Sequence, residues 1–276
     1  MILDFSVDDE LCTRCRKCVD DCPSRIIEQK GNDLPFIPED KEMYCIQCQH
    51  CLAVCPTAAV SIFGKNPYDS MAISYEKLPR LESMMRLVRG RRSVRQYKDE
   101  NVDIELIRKL LHSLANAPSG VNSRKLTFRI IDNKAVIHRV REKVLAELQV
   151  AIEAGRIPDR LSYLMNAVPA YKDQGRDILF RNAPHALIIS ASPDAVCPNE
   201  DVTLALAYFE LLAQSAGLGT VWWGMLKMLL ESLPELKPLF GVPCDHVYYG
   251  MLFGLPAVSY LRAVQRDDAA RIVRIE

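Results

Sequence analysis

The sequence has no surplus of charge of either sign: 35 Lys and Arg face 35 Asp and Glu across 276 residues. A chain that binds nucleic acid through bulk charge is thereby excluded. It also lacks a basic and then apolar opening, because residues 1–10 carry Asp4, Asp8, Asp9 and Glu10 instead. Export and oxidative disulfide pairing are therefore not expected, and a cytoplasmic location is. No apolar run is long enough for a bilayer. The most apolar stretch, Val202 to Leu230, is interrupted by Glu210, Gln214 and Lys227 and reads as core helix, so no membrane partner is expected. Disorder is excluded by composition, since 49% of residues are hydrophobic and 25% charged. The length fits one or two domains.

What the chain does have is cysteine, ten in all, with eight of them before residue 56. They form two runs, Cys12-x-x-Cys15-x-x-Cys18-x-x-x-Cys22-Pro23 and Cys45-x-x-Cys48-x-x-Cys51-x-x-x-Cys55-Pro56, and the second repeats every interval of the first. A structural zinc site needs paired Cys-x-x-Cys units with four closed ligands, and a third cysteine at the same short spacing, twice over, fits that poorly. Residues 1–64 resemble the bacterial two-cluster ferredoxins. That resemblance implies one 4Fe-4S cluster on Cys12, Cys15, Cys18 and Cys55 and a second on Cys45, Cys48, Cys51 and Cys22. Exchange of the fourth ligand would tie the halves of a module too small to be held by its core alone. His50 is expected to be a bystander, and Cys197 and Cys244 to be buried thiols without chemistry.

Past Gly64 the cysteines thin out, and Pro67 and Pro79 lead toward Leu81. We place a ferredoxin-like domain at 1–64, a linker at 65–80 and a second domain at 81–276. Up to Gly64 there are 11 acidic and 6 basic side chains, and beyond it 24 and 29, so an acidic module precedes a mildly basic one. In the second domain Ile104, Ile107, Leu110, Leu111 and Leu114 recur at helical spacing after an Asp103 cap. A strand is expected over Leu126 to Ile130, a helix over Val136 to Leu148, and buried strands at Ala186–Ala191 and Val247–Phe253. Val202–Ala216 reads as a buried helix. Residues 150–180 fit no clear element and read as an inserted helical cap or lid. Ile272 to Ile275 have strand propensity without an evident partner. Together these patterns give a domain of mixed α and β with one sheet flanked by helices.

Between Arg86 and Lys98 there are six basic residues and no acidic one. This segment centres on Arg91-Arg92-Ser93-Val94-Arg95-Gln96-Tyr97. A helix, then Ala117-Pro118-Ser119-Gly120-Val121-Asn122, then a strand and later Gly217-Leu218-Gly219-Thr220-Val221-Trp222-Trp223-Gly224 follow in order. In that order and spacing, residues 85–265 resemble the FMN-dependent nitroreductases. The resemblance implies a nitroreductase-like α+β fold with a mixed sheet flanked by helices, FMN as cofactor beside the two 4Fe-4S clusters, and a homodimer with flavin at each subunit interface. Residue by residue, it implies that Arg91, Arg92, Ser93 and Arg95 meet the phosphate and ribityl chain. A guanidinium fork suits a phosphate. Pro118, Ser119, Asn122 and Arg124 would border the flavin ring from the partner subunit. Gly224 would let backbone approach the ring, and Arg262 would complete the phosphate grip.

Two departures qualify the resemblance. Where the family commonly shows Asn-x-Gln-Pro, this chain has Asn122-Ser123-Arg124-Lys125, and the smaller family members carry no clusters. The absence of G-x-G-x-x-G settles nothing, because the family does not use that fingerprint. The expected function is an iron-sulfur flavoprotein oxidoreductase that passes electrons from clusters to FMN and on to a small acceptor such as a nitroaromatic, quinone or activated alkene. The donor would be a ferredoxin or NAD(P)H. The alternatives are a dehydrogenase that exports electrons through the clusters and a non-catalytic relay subunit. No catalytic side chain is assigned, and His112, His138, His185 and His246 are expected to be structural.

Overall fold

The computed structural model describes residues 2–266 and 270–275. The chain divides into two units, Met1–Leu78 and Pro79–Glu276. The division falls inside the expected linker, and residues 65–78 group with the first unit.

In the first unit, β1 (Ser6–Val7) pairs antiparallel with β2 (Val60–Ser61). Between them lie two short helices, α1 (Lys17–Asp20) and α2 (His50–Val54), each beginning inside a cysteine run. The repeat seen in sequence is also a repeat of backbone shape. Arg14 and Arg16 take positive φ of 55° and 63°, and their counterparts Gln47 and Gln49 both take 58°. Non-glycine residues seldom enter this region unless something holds them there, and here alternate residues turn the loop around its thiols. The core is slight: Leu3, Ile26, Ile27, Leu52, Val60 and Ile62 pack with Cys18 and Cys51.

The second unit begins with α3 (Leu81–Gly90) and α4 (Ile104–Ser113), the latter capped by the Asp103 carboxylate accepting from Glu105 N–H at 2.9 Å. Next come β3 (Leu126–Ile131), α5 (Lys134–Glu153) and α6 (Ala167–Gln174). The chain continues through β4 (His185–Ala191), α7 (Pro198–Ser215) and β5 (Gly219–Trp222), and ends its regular structure with α8 (Gly224–Ser232) and β6 (Val247–Gly254). The sheet order is β3-β4-β6-β5, with antiparallel ladders. A parallel bridge between Ser93 and Thr220 makes it mixed.

Alternation explains the layering. Along β4, Ala186 and Ile188 face a core shared with α5, α6 and α8, whereas Leu187, Ile189 and Ala191 face one shared with α4 and α7. Both faces are covered, so β4 is buried at every position and reads as a continuous apolar run. Residues 150–180 are part of this packing and form no lid. Leu161, Leu164, Ala167, Val168, Leu179 and Phe180 are all buried in the α5 core. Their helical period is hidden in sequence because the segment starts as a 3-10 turn at Asp159–Asn166. Ile272, Val273 and Ile275 form no strand and are 88%, 72% and 94% exposed.

Two contacts fix the edges of this unit. Segment 93–98 is sewn to the sheet: Val94 N–H donates to Thr220 O at 2.8 Å, and Lys98 N–H to Leu255 O at 2.9 Å. Gly219 allows the approach, since a Cβ there would lie 2.7 Å from two atoms of the Val94 side chain. We predict that Gly219→Ala costs about 1–3 kcal/mol through this overlap, visible as a lower Tm. An unchanged Tm would show that Val94 simply moves aside. The second contact is His185, fully buried, whose Nε2 accepts from Val102 N–H at 2.9 Å. Burial pushes its pKa below the ordinary histidine value. The unfolded state thus takes up a proton first as pH falls, so stability is complete above about pH 6.5 and declines below it toward the depressed folded value. Denaturant titrations between about pH 7.5 and 5.5 should show a slope that His185→Gln flattens.

Candidate functional site

Three sets of side chains stand out, one in the first unit and two in the second. In the first unit, Cys45, Cys48 and Cys51 of the second run line one cavity together with Cys22 of the first. Burial pushes the Cys51 thiol up to about 12, with further repulsion from Cys48, Cys45 and Cys22. It likewise raises Cys45, whose thiol neighbours are Cys48 and Cys22. Cys18 belongs to a different set. Burial raises it, and the thiols that add to the shift are Cys55 and Cys12. Cys15 is exposed and lowered, first by the Lys17 N–H and then by the Thr13 hydroxyl.

Cys45, Cys48 and Cys51 thus share a cavity with Cys22 of the other run, and Cys12 and Cys18 lie near Cys55. Backbone donors are already directed at sulfur, with Gln47 N–H reaching Cys45 Sγ at 3.4 Å and Ala59 N–H reaching Cys55 Sγ at 3.2 Å. Among the described residues no three His, Cys, Asp or Glu side chains converge closely enough to hold a single ion. The donor set and its spread fit a cluster. His50 pairs with Asp21 at 3.3 Å on the surface.

In the second unit, Arg91 and Arg92 line a cavity with Arg89 and Arg266, and among the described residues no acidic side chain borders it. Arg92 donates to Arg89 O, while its Nε is buried without a hydrogen-bond partner. A cavity lined by four arginines, with no acidic border among the described residues, fits an anion such as a phosphate. Arg91 is held by Glu210 on α7 at 2.9 Å, their side chains 29% and 9% exposed. Ser93 is fixed by its bridge to Thr220. Arg95 is exposed and donates to Ser93 O at 3.2 Å. Arg262 lines a neighbouring cavity with Arg86, Arg89 and Tyr260.

The third set is the loop after α4. Ser119 and Arg124 line a cavity with Ala117, Leu126 and Phe128, and Pro118 lies beside it in the same loop. The loop is strained, because Val121, Asn122 and Arg124 all have positive φ, at 48°, 55° and 48°. It is held down by Asp201 of α7, 2% exposed, whose Oδ1 accepts from Gly120 N–H at 2.9 Å. Arg124 N–H donates to Ser119 Oγ at 3.0 Å. Gly224 opens α8, where a Cβ would come 3.1 Å from the Tyr249 hydroxyl.

Within one chain, then, Arg91 and Arg92 meet in one cavity, Arg262 lies in the next, and Ser119 and Arg124 line a third. Sequence reasoning missed Arg89 and Arg266 as partners of Arg92, and also the carboxylates Asp201 and Glu210. Only the interruption of an apolar helix by Glu210 hinted at the last. Cys197 and Cys244 depart from expectation. Cys197 is partly exposed and Cys244 exposed, since both sit in turns that flank buried elements.

The Arg91–Glu210 pair yields a prediction. Arg91→Ala leaves a nearly buried carboxylate unpaired, and Glu210→Ala leaves a guanidinium that reaches water. We expect the first to be the more destabilising, by up to about 3 kcal/mol, in denaturant melts of the apoprotein. The reverse order would mean that Glu210 is solvated without its partner.

Comparison with known proteins agrees with both units. Residues 11–60 match the 4Fe-4S dicluster domain, and residues 88–255 match the nitroreductase family. A protein of Methanothermobacter thermautotrophicus named for NADH dehydrogenase or NAD(P)H nitroreductase activity is 26% identical over 168 residues, which cover 59% of this chain and 71% of that protein. Iodotyrosine deiodinase of Danio rerio is 27% identical over 207 residues, 69% of this chain and 66% of its own length. Among solved structures, an FMN-bound nitroreductase from Bacteroides fragilis superposes with a TM-score of 0.56 at 23% identity, over 70% of this chain and 98% of that one. One from Desulfitobacterium hafniense, also with FMN, gives 0.53 at 22%, over 69% and 97%. With 88–255 spanning more than half its length, the chain belongs to the nitroreductase family and joins that domain to a 4Fe-4S dicluster domain.

Proposed function

We propose that this chain is an iron-sulfur flavoprotein oxidoreductase that carries electrons between two 4Fe-4S clusters and FMN and delivers them to a small organic acceptor. The observation that carries this reading is the pairing, in one polypeptide, of thiol sets that exchange their fourth member with a cavity lined by Arg89, Arg91, Arg92 and Arg266. Cys12, Cys15, Cys18 and Cys55 would hold one cluster, and Cys45, Cys48, Cys51 and Cys22 the other. A cluster passes single electrons, whereas FMN when bound accepts one or two and can hand on a pair.

The chain's own residues have separable tasks. Arg91 and Arg92, with Arg89 and Arg266, would hold the phosphate, and Glu210 keeps the Arg91 fork in place. Ser93 and Arg95 would lie along the ribityl chain, fixed by the stitching of segment 93–98 to the sheet, with Arg262 adding charge from the adjacent cavity. Pro118, Ser119, Asn122 and Arg124 lie elsewhere on the same chain. A homodimer in which a second copy supplies that loop would complete the site, with Gly224 at its edge. Leu204 and Tyr208, 41% and 44% exposed on α7, are apolar surface suited to such an interface. No described helix is long and apolar enough to cross a membrane. Oxygen-sensitive clusters further suit a cytoplasmic setting.

The acceptor is a nitroaromatic, quinone or activated alkene, and the deiodinase relative adds iodotyrosine to the panel. Under anaerobic conditions, reduced ferredoxin or NAD(P)H mixed with such acceptors should give turnover in which cluster bleaching precedes acceptor reduction. If every small acceptor fails while a partner protein is reduced, the chain is a relay. If a reduced small substrate bleaches the clusters through the flavin, flow runs outward.

Two variants test the assignment. Arg92→Ala should weaken FMN binding about tenfold, equivalent to about 1.4 kcal/mol, read by flavin fluorescence with iron content unchanged. Equal affinity would remove Arg92 from the phosphate site. Cys18→Ser should lose one cluster's iron and keep FMN. A parallel loss of flavin would contradict the separation of the two units.

A further inference from the structure

The two cysteine runs repeat in spacing and backbone, so their equivalent positions can be compared one by one. Between the first three ligands of the first run stand Thr13, Arg14, Arg16 and Lys17, and at the matching places of the second stand Ile46, Gln47, Gln49 and His50. Three cations thus face three residues without a fixed charge. Arg14 is paired with Asp9 and donates to Cys12 O at 2.9 Å, so its charge is partly engaged within the loop. Arg16 and Lys17 have no carboxylate within ion-pair distance among the described residues, while Arg16 Nη1 contacts Gln29 O at 3.5 Å.

The fourth ligands differ in the opposite sense. Cys22, which lines the cavity of the second run, is preceded by Asp20 and Asp21, whereas Cys55 is preceded by Ala53 and Val54. Asp21 also reaches across to His50, which places its carboxylate against the second run's loop. Asp8 and Glu10 stand before the first run and count against the asymmetry. The Asp8 carboxylate is already engaged by the N–H groups of Glu10 and Leu11, at 2.9 and 3.2 Å.

Solvation points the same way. Cys15 is exposed and Cys48 only partly so. The Thr57 hydroxyl lies 3.8 Å from Cys55 Sγ, within hydrogen-bond reach of a ligand proposed for the first-run cluster. The second run's cavity is walled by Ile26, Ile27, Ile37, Ile46 and Ile62. A reduced cluster carries one more negative charge than an oxidised one, and nearby cations, hydrogen bonds to sulfur and access to water all stabilise it.

On this basis, and resting on the ligand sets proposed above, we propose that the two clusters are unequal. The cluster on Cys12, Cys15, Cys18 and Cys55 is the stronger electron acceptor, and a single electron entering the module settles there. The step is a one-electron exchange in which the reduced second-run cluster is oxidised as the first-run cluster is reduced, and it consumes nothing else. The first-run cluster is then the resting place of the module's electron, and the second-run cluster the more strongly reducing of the two.

The test is an anaerobic redox titration of the full-length holoprotein followed by electron paramagnetic resonance. Two one-electron waves are expected, with the electron biased toward the upper centre by about tenfold or more, which corresponds to about 59 mV. Arg16→Gln and Lys17→Gln should each lower the upper midpoint and leave the lower one in place, and Gln49→Arg should raise the lower one. Arg16 and Lys17 are exposed and Gln49 is half-buried, so folding is checked by an unchanged iron content. A single unsplit wave in the wild type, or Arg16→Gln and Lys17→Gln moving the lower midpoint instead of the upper, would overturn the proposal. Iron for fewer than two clusters per chain would instead overturn the ligand sets beneath it, and the inference with them.

Discussion

Cys22 lies across from Cys45, Cys48 and Cys51, and Cys55 across from Cys12 and Cys18. Much else in the first unit answers to this exchange. Its apolar core is a handful of side chains, too few to hold a domain of this size, so bonds to a shared inorganic centre are the natural source of the missing stability. The same arrangement puts strongly desolvated thiols together, which is unfavourable for sulfur alone. Burial raises Cys18, Cys45 and Cys51, and each feels the repulsion of its neighbours. Such a set makes sense around a metal centre that replaces those protons.

In the second unit the corresponding constraint is α7. Asp201 near its start fastens the strained loop at Gly120, and Glu210 further along fastens Arg91. A helix with one face in the core carries two nearly buried carboxylates, each committed to a segment that borders a candidate flavin contact. Buried charges are costly unless paired. Their placement here is easiest to understand as positioning. The sheet does the same for segment 93–98, because Val94 and Lys98 bond to backbone at its two ends.

Particular elements show what can be read in advance. The helix α4 is legible because Asp103 caps it and its apolar residues keep one face. β4 is legible as a short run without polar interruption. Residues 150–180 are not, because a 3-10 stretch and Pro169 obscure the period while Leu161, Leu164 and Phe180 go into the core. The exposure of Cys197 and Cys244 is equally hidden, because an isolated thiol carries no positional signal. Arg91 and Arg92 stand out by charge and context. Arg89 and Arg266 join them from opposite ends of the second unit, a separation no local pattern spans.

The spacing of eight cysteines in two matching runs was enough by itself to specify the chemistry of the first unit, since ligand type and interval are local properties of the chain. The order of the Arg91–Tyr97, Ala117–Asn122 and Gly217–Gly224 segments likewise named the second. Tertiary structure alone decided which carboxylate restrains Arg91 and which buried donor is left unfilled. These depend on desolvation and on distances between remote residues, and both arise only when the chain closes on itself.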